Sequence, residues 1–359
     1  MNHTSSNYDF RLAGVLGIAF LVAAAACAAF NPALLKPHPQ KAFLNGGWAA
    51  SYSKEFDNGV PIRQGAISGL SALNYFAFGE GRDGVLVGDD GWLFSSEEMT
   101  QSADPKNEIA SKHRYVNSAV KTLEARGIRV IVAVIPAKLR VYPEHGGGYS
   151  MLPQLRAVYA DQIRQLRAEG IEAPDLLAPL QQQKDNGQVF LRTDTHWTPF
   201  GAQIVANTLG SAIGPDRPWT ETSFRYVPGK VVSHDGDLKN YLPLGPWKAM
   251  GPAPDTLQTG AVISDGASAG GGLLGPSYVP VALVGTSYSF NPKWQFENAL
   301  KVALGTDIMN VSREGRGPFR PMQEFLESKE TVGNPPKILL WEIPERYFWS
   351  TDKQVGLPK

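Results

Sequence analysis

The chain has 359 residues, 43% of them hydrophobic and 19% charged, which is ample material for one large or two smaller globular domains. Its 34 Lys and Arg balance 34 Asp and Glu, so there is no electrostatic case for a nucleic-acid partner. A single cysteine, Cys27, excludes an internal disulfide or a thiolate zinc site, and its place in an N-terminal apolar run leaves the body without a thiol nucleophile.

That run, residues 12–30, carries no charge, with Arg11 before it and Lys36 after it. At about 1.5 Å per helical residue it reaches roughly 28 Å, the thickness of a bilayer core. Residues 1–31 are therefore expected to be a signal-anchor, although the small residues at 26–28 also fit a cleavage site, and the bulk of the chain is expected to be exported. Residues 32–80 read as a tether that becomes a packed arm, carrying Trp48, Tyr52 and Phe56. At 85–94 two apolar runs flank Asp-Asp-Gly, a hairpin signal.

Helical spacing of Ile109, Val116, Val120 and Leu123 predicts a helix from 105 to 126, stopped by Gly127. The near-continuous apolar segment 128–135 predicts a buried strand of a parallel sheet, emptying into the loop 136–143. A helix over 153–169, a short strand over 173–177 and a helix or turn near Gln181 follow. After the apolar run 189–191 come Asp194 and His196, and then a helix from Pro199 to near Gly214. Residues 215–277 are rich in Gly, Pro and Asp and read as a loop-heavy insertion with a hairpin at 224–232. Strands at 281–284, 307–311 and 337–343 alternate with helices at 293–303 and 321–328. Alternation of this kind predicts a three-layer α/β domain over 81–350, followed by a tail at 351–359.

Reactive groups in open α/β sheets gather beyond the carboxyl ends of the strands. Three segments fit: 136–142, 193–197 and 285–289. Asp194 sits two residues before His196, close enough to fix the ring's tautomer and make it a base. Ser287 follows a glycine that ends a buried strand and precedes a predicted helix, which exposes a hydroxyl and aims backbone N–H groups at the space before it. A serine hydroxyl needs an adjacent base, and His196 meets that need if the two segments are neighbours. A metal at Asp194 and His196 requires further ligands, and His113, His145 and His234 lack metal-like spacing, so none is expected, nor is a cofactor. Lys138 and Arg140 leave a strand on this edge and are candidates for a carboxylated sugar. Tyr142, Trp197 and Tyr288 are candidates for stacking on sugar rings. Solvated cations and core aromatics are the alternatives for these five.

Six segments together resemble the AlgJ/AlgX family of polysaccharide O-acetyltransferases: Asp-Gly-Trp-Leu-Phe at 90–94, Pro-Ala-Lys-Leu-Arg-Val-Tyr-Pro at 136–143, Thr-Asp-Thr-His-Trp at 193–197, Gly-Thr-Ser-Tyr-Ser at 285–289, Gly-Arg-Gly-Pro at 315–318, and Trp-Glu-Ile-Pro-Glu-Arg-Tyr at 341–347. The resemblance implies an SGNH-hydrolase-like catalytic domain with permuted motif order, because here the Asp–His pair precedes the serine. It implies Ser287 as nucleophile, His196 as base and Asp194 as its orienting acid. It further implies a periplasmic protein anchored to the bacterial inner membrane through residues 12–30. An exopolysaccharide such as alginate would be its substrate, and a membrane-bound O-acyltransferase would be its acetyl-supplying partner. The chain ends soon after the 337–343 segment, so it resembles the AlgJ branch. A carbohydrate acetylesterase with the same triad, and a non-catalytic polysaccharide-binding component of an export complex, are the competing readings.

Overall fold

The computed structural model describes Val22, residues 63–264 and residues 278–351 apart from 332 and 334. Apart from Val22, the apolar segment 12–30 lies outside the described residues, as do Trp48, Tyr52, Phe56 and the glycine-rich run 267–272. Among the described residues no helix is long and apolar enough to cross a membrane.

The chain divides into two units. The smaller includes α1 (Arg63–Leu73), a π-helical turn (Asn74–Phe78) and residues 243–249. The larger comprises the rest from Gly79 onward. It opens with a hairpin, β1 (Val85–Val87) and β2 (Leu93–Ser95), turned through Asp90 and Gly91, both at positive φ. Then come α2 (Pro105–Glu124), β3 (Arg129–Ile135), the short α3 (Lys138–Val141), α4 (Val158–Ala168), α5 (Leu177–Gln183) and α6 (Pro199–Ile213). A two-stranded ribbon follows, β4 (Phe224–His234) antiparallel to β5 (Asp255–Ser264). The chain continues with β6 (Val281–Val284), α7 (Ser287–Phe290), α8 (Phe296–Leu304), β7 (Ile308–Asn310), α9 (Phe319–Glu327) and β8 (Ile338–Pro344).

Helix boundaries follow local chemistry. At α2 the Asp104 carboxylate accepts the Asn107 N–H at 3.2 Å, with Pro105 filling the first turn where no donor is needed. At α6 Thr198 caps Gly201 at 3.1 Å, Pro199 starts the helix, and Gly214 ends it at φ 86°.

The central sheet has the order β3-β8-β6-β7, and all three pairings are parallel. Successive side chains alternate faces, and two cores result. Val130, Val132, Val134, Ala282, Leu339 and Trp341 face α2, α4 and α9. Ile131, Ala133, Ile135, Val281, Leu283 and Leu340 face α5, α6 and α8. The fold is thus three-layered, with a parallel sheet buried on both sides, as the unbroken apolar strand sequences require.

Three expectations are corrected. The 173–177 strand reduces to one parallel bridge, Ile131 to Glu172, because Pro174 cannot donate to a ladder. The apolar run 189–191 joins no sheet; Phe190 bridges Trp197, and the chain closes on itself as a loop. The hairpin at 224–232 is instead half of a long ribbon whose partner strand begins at Asp255.

Candidate active site

β3, β8 and β6 point their carboxyl ends the same way, carrying residues 136–138, Glu345 and 285–287 to one edge of the sheet. After β6 the backbone turns sharply at Gly285, where an added Cβ would lie 2.4 Å from a Glu342 carboxylate oxygen, so only glycine lets the turn approach β8 this closely. Glu342 is fully buried and accepts the Thr286 N–H at 2.7 Å, the Thr286 hydroxyl and the Ser289 hydroxyl. Burial raises its pKa, and these donors partly oppose the rise. Ser287 is therefore held as the first residue of α7, half-buried, with Thr286 as the cap. At that position its N–H has no intrahelical acceptor.

Asp194 and His196 reach Ser287 from the closed loop. Leu191 N–H donates to His196 O at 3.1 Å and Thr198 N–H to Val189 O at 3.0 Å. Four groups pin the loop. The Asp255 carboxylate accepts the N–H groups of Arg192 and Thr193, each at 2.9 Å, and the Thr193 hydroxyl at 2.6 Å. Asp237 accepts Thr195 N–H at 2.8 Å. Tyr288 donates its hydroxyl to Thr195 O at 2.6 Å. Lys138 Nζ donates to the carbonyls of Leu93, Arg192 and Asp194 at 2.5, 2.9 and 2.9 Å.

The result is a continuous chain of hydrogen bonds. Asp194 Oδ1 lies 2.6 Å from His196 Nδ1, and His196 Nε2 lies 2.7 Å from Ser287 Oγ. An ionised carboxylate only accepts, so the Nδ1 position carries the proton and Nε2 is free to accept from the serine. The other carboxylate oxygen, Oδ2, accepts His234 Nε2–H at 2.8 Å and Asp237 N–H at 3.0 Å. Burial alone would raise the Asp194 pKa, but the donors from His196 and His234 hold it well below the ordinary aspartate range. Trp294, itself buried, stacks on the His196 ring at 4.7 Å and meets His234 edge-on at 5.5 Å. The imidazole is thus fixed on its edge and on its face.

Asp194, His196 and Asp237 also bring possible ligand atoms within 4.8 Å of one another, the described residues that group closely enough to hold a cation. An ion there would take Nδ1 from Asp194, so metal binding and the Asp–His–Ser arrangement compete for the same atoms. His113 is hydrogen-bonded to Gln162, and His145 stacks on Trp92.

The five residues expected to meet substrate are taken up by internal packing and hydrogen bonds instead. Lys138 is 1% exposed and spends its donors on backbone carbonyls. Arg140 pairs with buried Glu345 at 2.9 Å and donates to Leu155 and Arg156 carbonyls. Tyr142 accepts the Val189 N–H and packs on Trp92. Trp197 is wholly buried against Tyr288 and Phe296, and Tyr288 is buried beside His196. None presents a ring face or a free charge to a polymer. Conversely, Asp237, Asp255, Trp294 and Glu342 were not singled out from the sequence as site residues, and His234 was weighed there only as a metal ligand. A signal was present for two of them, since His-Asp-Gly-Asp at 234–237 concentrates titratable groups in a turn.

A family model of the SGNH hydrolase-like domain of acetyltransferase AlgX matches residues 85–345. The chain is 42% identical over 310 residues to a probable alginate O-acetylase AlgJ of Azotobacter vinelandii, covering 85% of this chain and 80% of that protein. It is 42% identical over 316 residues to the probable alginate O-acetylase AlgJ of Pseudomonas aeruginosa, covering 85% and 81%. The solved O-acetyltransferase domain of Pseudomonas putida AlgJ superposes with a TM-score of 0.70 at 37% identity, covering 76% of this chain and 94% of that one. With its parallel sheet and these matches over most of its length, the chain belongs to the AlgJ/AlgX family of SGNH hydrolase-like acetyltransferases.

Proposed function

We propose that the chain acetylates hydroxyls of an exported polysaccharide, alginate or one like it, through an acetyl-Ser287 intermediate. The observation that carries this reading is the unbroken Asp194–His196–Ser287 hydrogen-bond chain, ending at a half-buried hydroxyl on the open edge of the sheet. Ser287 Oγ attacks the acetyl carbonyl of a donor ester while His196 Nε2 takes its proton. The imidazolium, stabilised by Asp194, returns that proton to the departing alcohol. The Ser287 N–H, which has no intrahelical acceptor, is the donor offered to the oxygen on which charge develops. A sugar hydroxyl then attacks the acetyl-serine, giving its proton to His196, and Ser287 leaves with that proton restored. The names of the relatives, alginate O-acetylases, support the acceptor class. The uncharged run at 12–30 supports a chain held to a membrane, and the resemblance to the AlgJ/AlgX family supports a periplasmic placement with a membrane-bound O-acyltransferase supplying the acetyl groups.

The test is intact-mass analysis of the full-length protein, in detergent, after exposure to an acetyl donor and oligosaccharide. Wild type gains one acetyl group and yields acetylated sugar, and Ser287→Ala does neither. Unaltered acetylation by Ser287→Ala removes the serine from the mechanism. Acetate release with no sugar product from wild type assigns an esterase instead.

A further inference from the structure

A crevice of about 230 Å³, lined by α6, α8 and the β4–β5 ribbon, is not used by the mechanism. It is lined by the carboxamides of Asn207, Gln258, Gln295 and Asn298 and the rings of Phe200 and Tyr226, and no charged side chain of the described residues lines it. We propose that this crevice is a subsite for one pyranose residue of the acceptor chain, recognised by its hydroxyls and ring face rather than by its charge. The proposal rests on the polysaccharide acetylation put forward above and adds to it where a neighbouring sugar of the same chain sits.

Carboxamides each offer donors and an acceptor, the complement of a ring of hydroxyls. Three of them are already braced. Gln258 Nε2 donates to Gly229 O at 2.7 Å, Gln295 Nε2 to Pro292 O at 3.2 Å, and Asn298 Nδ2 to Gln295 Oε1 at 2.8 Å. Braced in this way, the carbonyl oxygens of Gln258 and Asn298 are oriented before any ligand arrives, which lowers the ordering cost of binding. Tyr226 is partly exposed, and its ring lies against Gly260, where an added Cβ would come within 2.2 Å of the phenol oxygen. An aromatic ring seated on a glycine suits a stacking platform.

Position ties the crevice to the reaction. Gln295 directly follows Trp294, the ring stacked on His196, and holds a left-handed φ of 59°. A non-glycine residue keeps that conformation only where the surroundings enforce it. Gln258 lies on β5, the strand that begins at Asp255, whose carboxylate pins Arg192 and Thr193; the odd spacing turns Gln258 to the outer face of the strand, while Asp255 faces inward. At about 3.3 Å per residue, the main chain of Gln258 is about 10 Å along the strand from that of Asp255. An acceptor held at both places spans more than one sugar. A monosaccharide reaches only the serine.

The experiment compares wild type with Gln258→Ala/Asn298→Ala, using mannuronate oligomers of graded length and neutral mannan oligomers of the same lengths. Acetyl loading of Ser287 from a small donor is followed separately by mass. We expect the double variant to raise KM for the longer oligomers at least tenfold, neutral and anionic alike. KM for the monosaccharide and the loading rate should stay at wild-type values. Equal KM values for long oligomers in the two proteins overturn the subsite, as does an equal loss for monomer and oligomer. The underlying acetyl-transfer reading fails by a different result, absence of acetyl loading in wild type. In that event calorimetric titration of the same oligomers into wild type and double variant decides the subsite alone, with equal affinities overturning it.

Discussion

Lys138→Met separates a buried brace from a substrate-binding cation. Lys138 is 1% exposed, and its Nζ donates to the carbonyls of Leu93, Arg192 and Asp194. Burial pulls its pKa down from the ordinary lysine value, with Glu98, Asp255 and Asp194 pulling the other way. Methionine fills the volume but supplies no donor. Arg192 O keeps the Leu93 N–H, but the carbonyls of Leu93 and Asp194 each lose the Lys138 donor, at roughly 1–3 kcal/mol apiece. Relief from burying the ammonium offsets part of the total, leaving a net loss of about 2–4 kcal/mol. For a domain of this size each kcal/mol lowers the melting temperature by about 2–4 °C, so a fall of about 10 °C is expected by differential scanning calorimetry. Asp194 also loses the tie on its main chain, and small misplacement of a catalytic pair costs up to about a hundredfold in kcat. The expected pattern is therefore lower stability and lower kcat, with KM for the acceptor unchanged. A melting temperature equal to wild type, together with a raised acceptor KM, would refute the brace and restore Lys138 as a substrate contact.

Two further outcomes follow from the carboxylate at the centre. His234 Nε2 donates to Asp194 Oδ2, so His234→Ala leaves the carboxylate charge less dispersed and its hold on imidazolium stronger. The acid limb of the pH profile of kcat/KM should move to higher pH in His234→Ala and return toward wild type in His234→Gln, which keeps a donor; superimposable limbs would uncouple His234 from the base. The Asp194 pKa is depressed in the folded state, so the stability that group contributes is complete above the unfolded aspartate value of about 4 and is lost as pH falls below it. Asp194→Asn should lower kcat by about 10⁴-fold through the wrong imidazole tautomer. Its stability deficit against wild type, measured by urea unfolding, should be widest above about pH 4 and narrow below.

Much of the sheet was legible because its strands are buried on both faces, and such strands announce themselves as continuous apolar runs. Residues 281–284 became β6 without a shift, and 128–135 became β3 less one residue. The Asp194, His196 and Ser287 constellation was legible for a different reason, since each lies in a short motif with its own local logic. Non-local pairing was not legible. Nothing in 224–232 says that its partner strand begins at Asp255, nor that His234 at the end of β4 will meet Asp194. Charge was legible as charge but not as burial. Lys138 and Arg140 occupy the loop where a substrate cation would stand, and only the arrangement of Glu98, Glu345 and the carbonyls around them shows that both are enclosed.

The insertion is what holds the Asp194–His196 pair at this site. An aspartate two residues before a histidine can cap a turn or sit in solvent, and the loop at 190–197 has only one bridge of its own to hold it. Asp255 fixes the two residues before Asp194, Asp237 fixes the residue after it, and His234 occupies the oxygen that His196 leaves free. All three come from the ribbon and the turn between its strands, and Gln258 of the proposed sugar subsite lies on the same β5. One element thus orders the base and offers a seat to the acceptor. Any displacement of the ribbon by a bound polymer would be transmitted to Asp194 through hydrogen bonds shorter than 3.1 Å, coupling acceptor binding to the readiness of His196.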